Sequence, residues 1–192
     1  GDKGIEDAMS ICDALSRELE VSPDRILPFS TGVIMTQLPV EKIKKFIPTL
    51  VKGLKDNNWL EAAKAIMTTD TLPKAASKSI LIQDQKVTVT GISKGSGMIH
   101  PNMATMLAFI STDANISLEM LQHINKEITD TTFNCISVDG DSSTNDSFII
   151  TASNHSKHSK IVKEDSNYKA LKSAIFDIAL ELAQSIIRDG EG

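Results

Sequence analysis

Near Ser79 the spacing of apolar residues changes from a helix period to a strand period, and that change limits the folds open to this chain. Before it, Ile5, Met9, Cys12, Leu15 and Leu19 mark one face of a helix, with Asp7, Asp13, Arg17 and Glu18 on its other faces. Val40, Ile43, Ile47, Leu50, Val51 and Leu54 give a second helical stripe, in which Pro48 predicts a kink or a boundary. Residues 59–67 read as a third helix, and residues 26–29 as a short buried strand running into Ser30-Thr31-Gly32. After the change, residues 79–82 and 87–90 form a hairpin candidate around a turn near Asp84-Gln85. Residues 91–102 are glycine-rich and end in Pro101-Asn102, so a loop is expected. Residues 105–111 read as a central strand, and Leu118, Leu121, Ile124 and Ile128 mark a helix. A polar loop over 139–146 precedes a strand at 148–151. Residues 154–167 are lysine-rich and are expected to be an exposed excursion. Leu171, Ile175, Ile178, Leu182 and Ile186 form the last helix. Helices mixed with a hairpin favour a layered α/β or α+β sandwich over an all-parallel doubly wound sheet.

Composition narrows the function classes. The formal net charge is −5 and no basic stripe is present, which argues against non-specific nucleic-acid binding. Aromatic residues are only 4%, so aliphatic side chains must fill the core. Cys12 and Cys135 form no disulfide or zinc framework; each has apolar neighbours and reads as a buried free thiol in a reducing, cytoplasmic compartment. No apolar run approaches the ~20 residues of a membrane helix. The opening Gly1-Asp2-Lys3-Gly4 and the closing Asp189-Gly190-Glu191-Gly192 suggest a chain cut from a longer one.

Most local motifs fail on inspection. The loop from Asp139 has Thr144 and Ile150 where a calcium loop needs Gly and Glu. Lys94-Gly95-Ser96-Gly97 has the wrong order for a phosphate loop. His155 and His158 lack a third ligand and read as exposed loop histidines, so no metal is expected. No Gly-x-Ser-x-Gly elbow is present. By composition alone Thr105 is a structural strand residue.

The order of short segments is more specific. Five runs cover nearly the whole chain: Ser30-Thr31-Gly32-Val33-Ile34; Met67-Thr68-Thr69-Asp70-Thr71 with Pro73-Lys74; Lys94 through Leu107 around His100-Pro101-Asn102-Met103-Ala104-Thr105; Val138-Asp139-Gly140-Asp141 with Ser143-Thr144-Asn145-Asp146-Ser147; and Arg188-Asp189-Gly190-Glu191-Gly192. Together they resemble the ornithine acetyltransferase family, also called bifunctional glutamate N-acetyltransferase. The family's chains are much longer. The resemblance therefore makes residues 1–192 the central part of one catalytic domain, with 1–104 belonging to an α-chain and 105–192 to a β-chain. A substrate-contacting Asn and a Ser or Thr near the family's C-terminus have no counterpart here.

The resemblance implies an α-β-β-α sandwich of the ornithine acetyltransferase and N-terminal-nucleophile aminopeptidase type. It implies self-cleavage between Ala104 and Thr105, with Thr105 as nucleophile, Thr31 and Gly32 as an oxyanion hole, and Thr68, Thr69, Lys94, Thr105 and Glu191 as substrate-binding residues. A threonine hydroxyl needs a base within hydrogen-bond reach. Cleavage supplies one on the same residue, an α-amine with an unperturbed pKa of about 7.7–8.0. The implied reaction moves acetyl from N-acetylornithine to glutamate in arginine biosynthesis, without a cofactor, although some members also take acetyl from acetyl-CoA. The implied assembly is a homo-oligomer of α/β heterodimers, with no nucleic-acid or membrane partner. The alternatives are a related N-terminal-nucleophile aminopeptidase or amidase, in which water is the acceptor, and an inactive fragment of the acetyltransferase.

Overall fold

Local sequence signals build two units, Gly1–Asn58 and Trp59–Gly192. The computed structural model describes residues 2–33, 35–100, 106–141, 143 and 145–190. In the first unit, helix α1 (Asp2–Leu19) packs on helix α2 (Val40–Lys52). Pro48 lies inside α2 without ending it, so the helix gives up one ladder hydrogen bond rather than breaking. The strand expected at residues 26–29 does not form. Among the described residues this unit has no other strand to pair with it, and Leu27 is exposed.

The second unit starts with a short helix, α3 (Trp59–Ala65), and continues into the expected hairpin, β1 (Lys74–Ile82) and β2 (Gln85–Lys94). Gln83 and Asp84 both have positive φ, the left-handed pair that a two-residue hairpin turn requires. Strand β3 (Leu107–Thr112) pairs antiparallel with β2. Helix α4 (Leu118–Thr131) then carries the chain to β4 (Ser147–Ala152), which lies parallel to β3. The sheet order is β1-β2-β3-β4. Helix α5 (Ser166–Arg188) closes the unit and packs across β1, β2 and β3. This is the mixed α/β class read from the sequence.

Strand alternation sets the two faces of the sheet. Val87, Val89, Ala108, Ile110 and Phe148 join Leu171, Ile175, Ile178, Leu182 and Ile186 of α5 in one buried core. Fully burying each large aliphatic side chain contributes about 1.5–3 kcal/mol. The helices feeding this core are capped: the Asp165 carboxylate accepts from the N–H groups of Asn167 and Tyr168, and Ser117 Oγ from that of Met120.

Three expectations change here. Residues 91–94 extend β2 instead of starting a loop. Gly91 is there because a Cβ would meet Ile110 Cγ1 and Leu182 Cδ1 at 2.9 Å, so its glycine marks close approach of α5 rather than a turn. Cys135 is exposed, placed at the end of a one-turn 3-10 helix with its Sγ 3.2 Å from the Asp130 carbonyl. The 154–167 excursion is partly packed, because Ile161 bridges to Ile116 and is buried.

Candidate active site

Where β2 leaves the sheet, the chain buries a lysine. Lys94 is only 2% exposed. Its ammonium donates to Thr68 Oγ1 at 2.9 Å, and Thr69 Oγ1 shares a 2.7 Å hydrogen bond with Ser96 Oγ. Three residues expected to bind substrate, Thr68, Thr69 and Lys94, are therefore brought together from segments far apart in sequence. Burial lowers the Lys94 pKa; the carboxylates of Asp70 and Asp146 oppose that, Lys74 adds to it, and the net direction is down. Among the described residues this buried ammonium has one hydrogen-bond partner, a hydroxyl, which leaves it suited to an incoming carboxylate. Gly95, at φ 150, turns the chain just after Lys94, and its N–H donates to Asp70 Oδ1 at 2.7 Å.

Beneath this lysine lies a charged cluster that sequence reasoning missed. Lys74, the first residue of β1, donates to Asp70 Oδ1 at 2.7 Å and to Asp189 Oδ2 at 2.6 Å, with all three side chains buried. Asp70 also accepts the Thr68 N–H at 3.1 Å, and Asp189 accepts both the N–H and the hydroxyl of Thr71. Burial alone would raise Asp70, but the Gly95 N–H, Lys74 and the Thr68 N–H outweigh it and hold it below the ordinary value. Asp189 follows the same balance: burial opposes, Lys74 and Thr71 prevail, and its pKa falls from 3.8 to about 2. The cluster ties the segment carrying Thr68 and Thr69, the start of β1, the exit of β2 and the end of α5 into one framework. All three charged residues fall within the motif runs, but apolar periodicity carries no information about a buried ion.

A second polar segment approaches the same end of the sheet. The Val138 and Ile99 backbones exchange hydrogen bonds, and Asp139 Oδ2 accepts the Met98 N–H at 2.5 Å. Asp146, the last residue before β4, accepts the Met106 N–H through Oδ1 at 2.5 Å. Its Oδ2 is buried with no hydrogen-bond partner among the described residues. Burial raises its pKa, the Met106 N–H and Lys94 oppose that, and the net direction is up.

Thr31 and Gly32 belong to the first unit, in irregular chain; Thr31 is half-buried and Gly32 exposed. Ala104, Thr105 and Glu191 lie outside the described residues. His158 corrects the expectation of an exposed loop histidine. It is buried, its Nε2 accepts the Asn115 N–H at 3.1 Å and its Nδ1 donates to the Ser159 carbonyl at 2.8 Å, so both nitrogens serve to anchor the loop. Among the described residues no group of three His, Cys, Asp or Glu is placed to hold a metal ion, and no helix is long and apolar enough to cross a membrane. A hollow between α4 and α5, lined by Glu127, Thr131, Lys172 and Phe176, shares no residue with the Lys94 site.

Comparison with known proteins supplies the family. The ArgJ family model matches residues 1–192. The arginine biosynthesis bifunctional protein ArgJ of Neisseria gonorrhoeae is 52% identical over 194 residues, covering 100% of this chain and 47% of that protein. The protein of the same name from Colwellia psychrerythraea is 47% identical over 193 residues, covering 100% of this chain and 46% of its own length. The chain thus spans about half the length of these curated relatives. Among solved structures, arginine biosynthesis bifunctional protein argJ from Bacillus halodurans is 40% identical, covers 44% of this chain and 39% of its own, and superposes with a TM-score of 0.42.

Proposed function

The chain belongs to the ArgJ family, and on that premise we propose that the protein carrying it moves an acetyl group from N-acetylornithine to glutamate through Thr105. The supporting observation is the placement of Lys94. The β2–β3 register pairs Lys94 with Leu107, two residues after Thr105 in sequence. Leu107 therefore lies across from a buried lysine whose ammonium donates to Thr68, with Thr69 and Ser96 hydrogen-bonded to each other nearby.

In this reading the Ala104–Thr105 bond is cut first, freeing the Thr105 amine. That amine takes the hydroxyl proton as Oγ attacks the acetyl carbonyl of N-acetylornithine. The tetrahedral oxyanion is held by the Thr31 hydroxyl and the Gly32 N–H. Collapse breaks the C–N bond, the proton passes to the departing amine, and ornithine leaves with acetyl on Oγ. Glutamate's amine then attacks the ester, and N-acetylglutamate departs as Oγ regains its proton. Lys94 pairs with the substrate α-carboxylate, with Thr68 and Thr69 donating to nearby oxygens. Glu191 selects the cationic end of ornithine. The relatives are named bifunctional, and in this reading acetyl-CoA serves as a second acetyl donor to glutamate.

The test is a transfer assay on the full-length protein with Thr105→Ala and Thr105→Ser. The alanine variant should lose cleavage and transfer together, and the serine variant should keep part of both. Lys94→Ala should lower kcat/KM at least about tenfold, about 1.4 kcal/mol. Normal turnover in Thr105→Ala would move the nucleophile elsewhere. Release of acetate without acetylglutamate would identify an amidase, with water as the acceptor.

A further inference from the structure

We infer that Asp70 is a positioning residue for substrate recognition, one that holds Lys94 and Thr68 together as a single receptor and so sets the preference for an acetyl donor carrying an α-carboxylate. This inference rests on the reading above in which Lys94 pairs with that carboxylate. Two segments form the receptor, and they are laced to each other three times. Lys94 Nζ donates to Thr68 Oγ1 at 2.9 Å, the Gly95 N–H donates to Asp70 Oδ1 at 2.7 Å, and Thr69 Oγ1 shares a 2.7 Å hydrogen bond with Ser96 Oγ. Within the first segment, Asp70 Oδ2 accepts the Thr68 N–H at 3.1 Å. One carboxylate therefore holds the backbone of Thr68 with one oxygen and the backbone next to Lys94 with the other. The path from Asp70 through Gly95, Lys94 and Thr68 back to Asp70 closes into a ring, so neither side chain of the receptor shifts without straining a bond to Asp70.

The charge of Asp70 supports Lys94 without occupying it. Asp70 forms its ion pair with Lys74, at 2.7 Å, and Lys74 is shared with Asp189 at 2.6 Å. Among the described residues the bonded partner of the Lys94 ammonium is the Thr68 hydroxyl, not a carboxylate. Burial lowers the Lys94 pKa; Asp70 is the first carboxylate to oppose it, ahead of Asp146, and Lys74 acts with burial. A direct pair between Lys94 and Asp70 would satisfy the ammonium, and an incoming carboxylate would have to displace it. Holding the Asp70 carboxylate on two backbone N–H groups and on Lys74 instead keeps a negative charge near Lys94 and leaves the ammonium for the ligand. A site built around a buried polar group of this kind rejects an analogue that leaves the group unpaired.

The experiment uses the full-length protein and two acetyl donors, N-acetylornithine and N-acetylputrescine, which differ only in the α-carboxylate. Transfer to glutamate gives kcat/KM for each donor. Wild type should prefer N-acetylornithine by at least about a hundredfold. Asp70→Asn removes the charge and turns an amide donor toward one of the two N–H groups. Its preference should narrow by at least about tenfold, through a higher KM for N-acetylornithine, with kcat for that donor within about threefold of wild type. A merely structural role would lower both donors by the same factor, so an unchanged preference in Asp70→Asn overturns the inference. If that variant does not fold, amide hydrogen exchange on the wild-type protein decides. Ornithine should slow the Gly95 and Thr68 amides together by at least about threefold, and putrescine should leave both unchanged; equal exchange with the two ligands overturns the inference. Lys94→Ala tests the reading underneath. No preference in wild type, or a wild-type preference in Lys94→Ala, removes the carboxylate role of Lys94 and this inference with it. A narrowed preference in Lys94→Ala beside an unchanged one in Asp70→Asn removes the role of Asp70 alone.

Discussion

The two units carry their apolar residues in opposite ways. In residues 59–192 the sheet, α4 and α5 share one continuous core, and the unit also encloses Lys74, Asp70 and Lys94. In residues 1–58, Cys12 and Ile47 are the buried apolar side chains among those described, while Ile5 and Met9 are each 62% exposed on the stripe that marks α1 as amphipathic. The same helical periodicity therefore reports two situations: a face packed within its own unit, as in α5, and a face left open, as in much of α1. Periodicity fixes the element; only the partner fixes its contribution to stability. The charges differ in the same way. The ion pairs of the first unit, such as Lys44–Glu41, lie at the surface, whereas Lys74 bridges two buried carboxylates.

The sharpest way to break this contrast is to remove one charge from each unit. Lys74→Met leaves Asp70 and Asp189 buried without their cation, and equilibrium denaturation should show a loss of about 3–5 kcal/mol. Lys44→Met, its surface counterpart, should stay within about 0.5 kcal/mol of wild type. Comparable losses from the two would dissolve the distinction. A smaller effect is expected from Gly91→Ala, which drives a methyl against Ile110, Leu182 and Ile178. Overpacking of this kind should lower the denaturation midpoint by the equivalent of about 1–3 kcal/mol. An unchanged midpoint would mean that α5 is not held against β2.

The smallest effect is set by pH. Asp189 has a folded pKa of about 2 against an ordinary 3.8, and Asp70 is also lowered. A depressed carboxyl stabilises the fold above its unfolded pKa, and that contribution fades as pH falls from about 4 toward 2. Allowing for solvent screening, Asp189 contributes about 1–2 kcal/mol in this window. Asp189→Asn should flatten the acid side of the stability profile; an unchanged profile would show that the Lys74 bridge does not hold Asp189 in its charged form.

Much of the second unit was legible because its signals are local. The hairpin, α4, β4 and α5 follow from alternation, turn residues and a helical stripe. Gly91 misled because a glycine inside a strand and a glycine opening a loop look the same in sequence; the neighbour that decides, α5, is nearly a hundred residues away. The polar, lysine-rich surroundings of His158 predict exposure, yet the Asn115 backbone and the Ser159 carbonyl satisfy both of its nitrogens. Lys94, Thr68 and Thr69 follow from motif resemblance alone; in the structure Lys94 is buried and its ammonium donates to Thr68 Oγ1. Asp70, Lys74 and Asp189 sat in those runs unassigned, since a long-range ion pair leaves no mark on the spacing of apolar residues.

Thr105 is the residue on which the account turns, and the most direct measurement is the N-terminal sequence of the smaller chain obtained when the full-length protein is purified. The account predicts two chains in equal amount, the smaller beginning at Thr105, and a single uncut chain in the Thr105→Ala variant. A different first residue, or an uncut wild-type protein with full acetyl transfer, would contradict it.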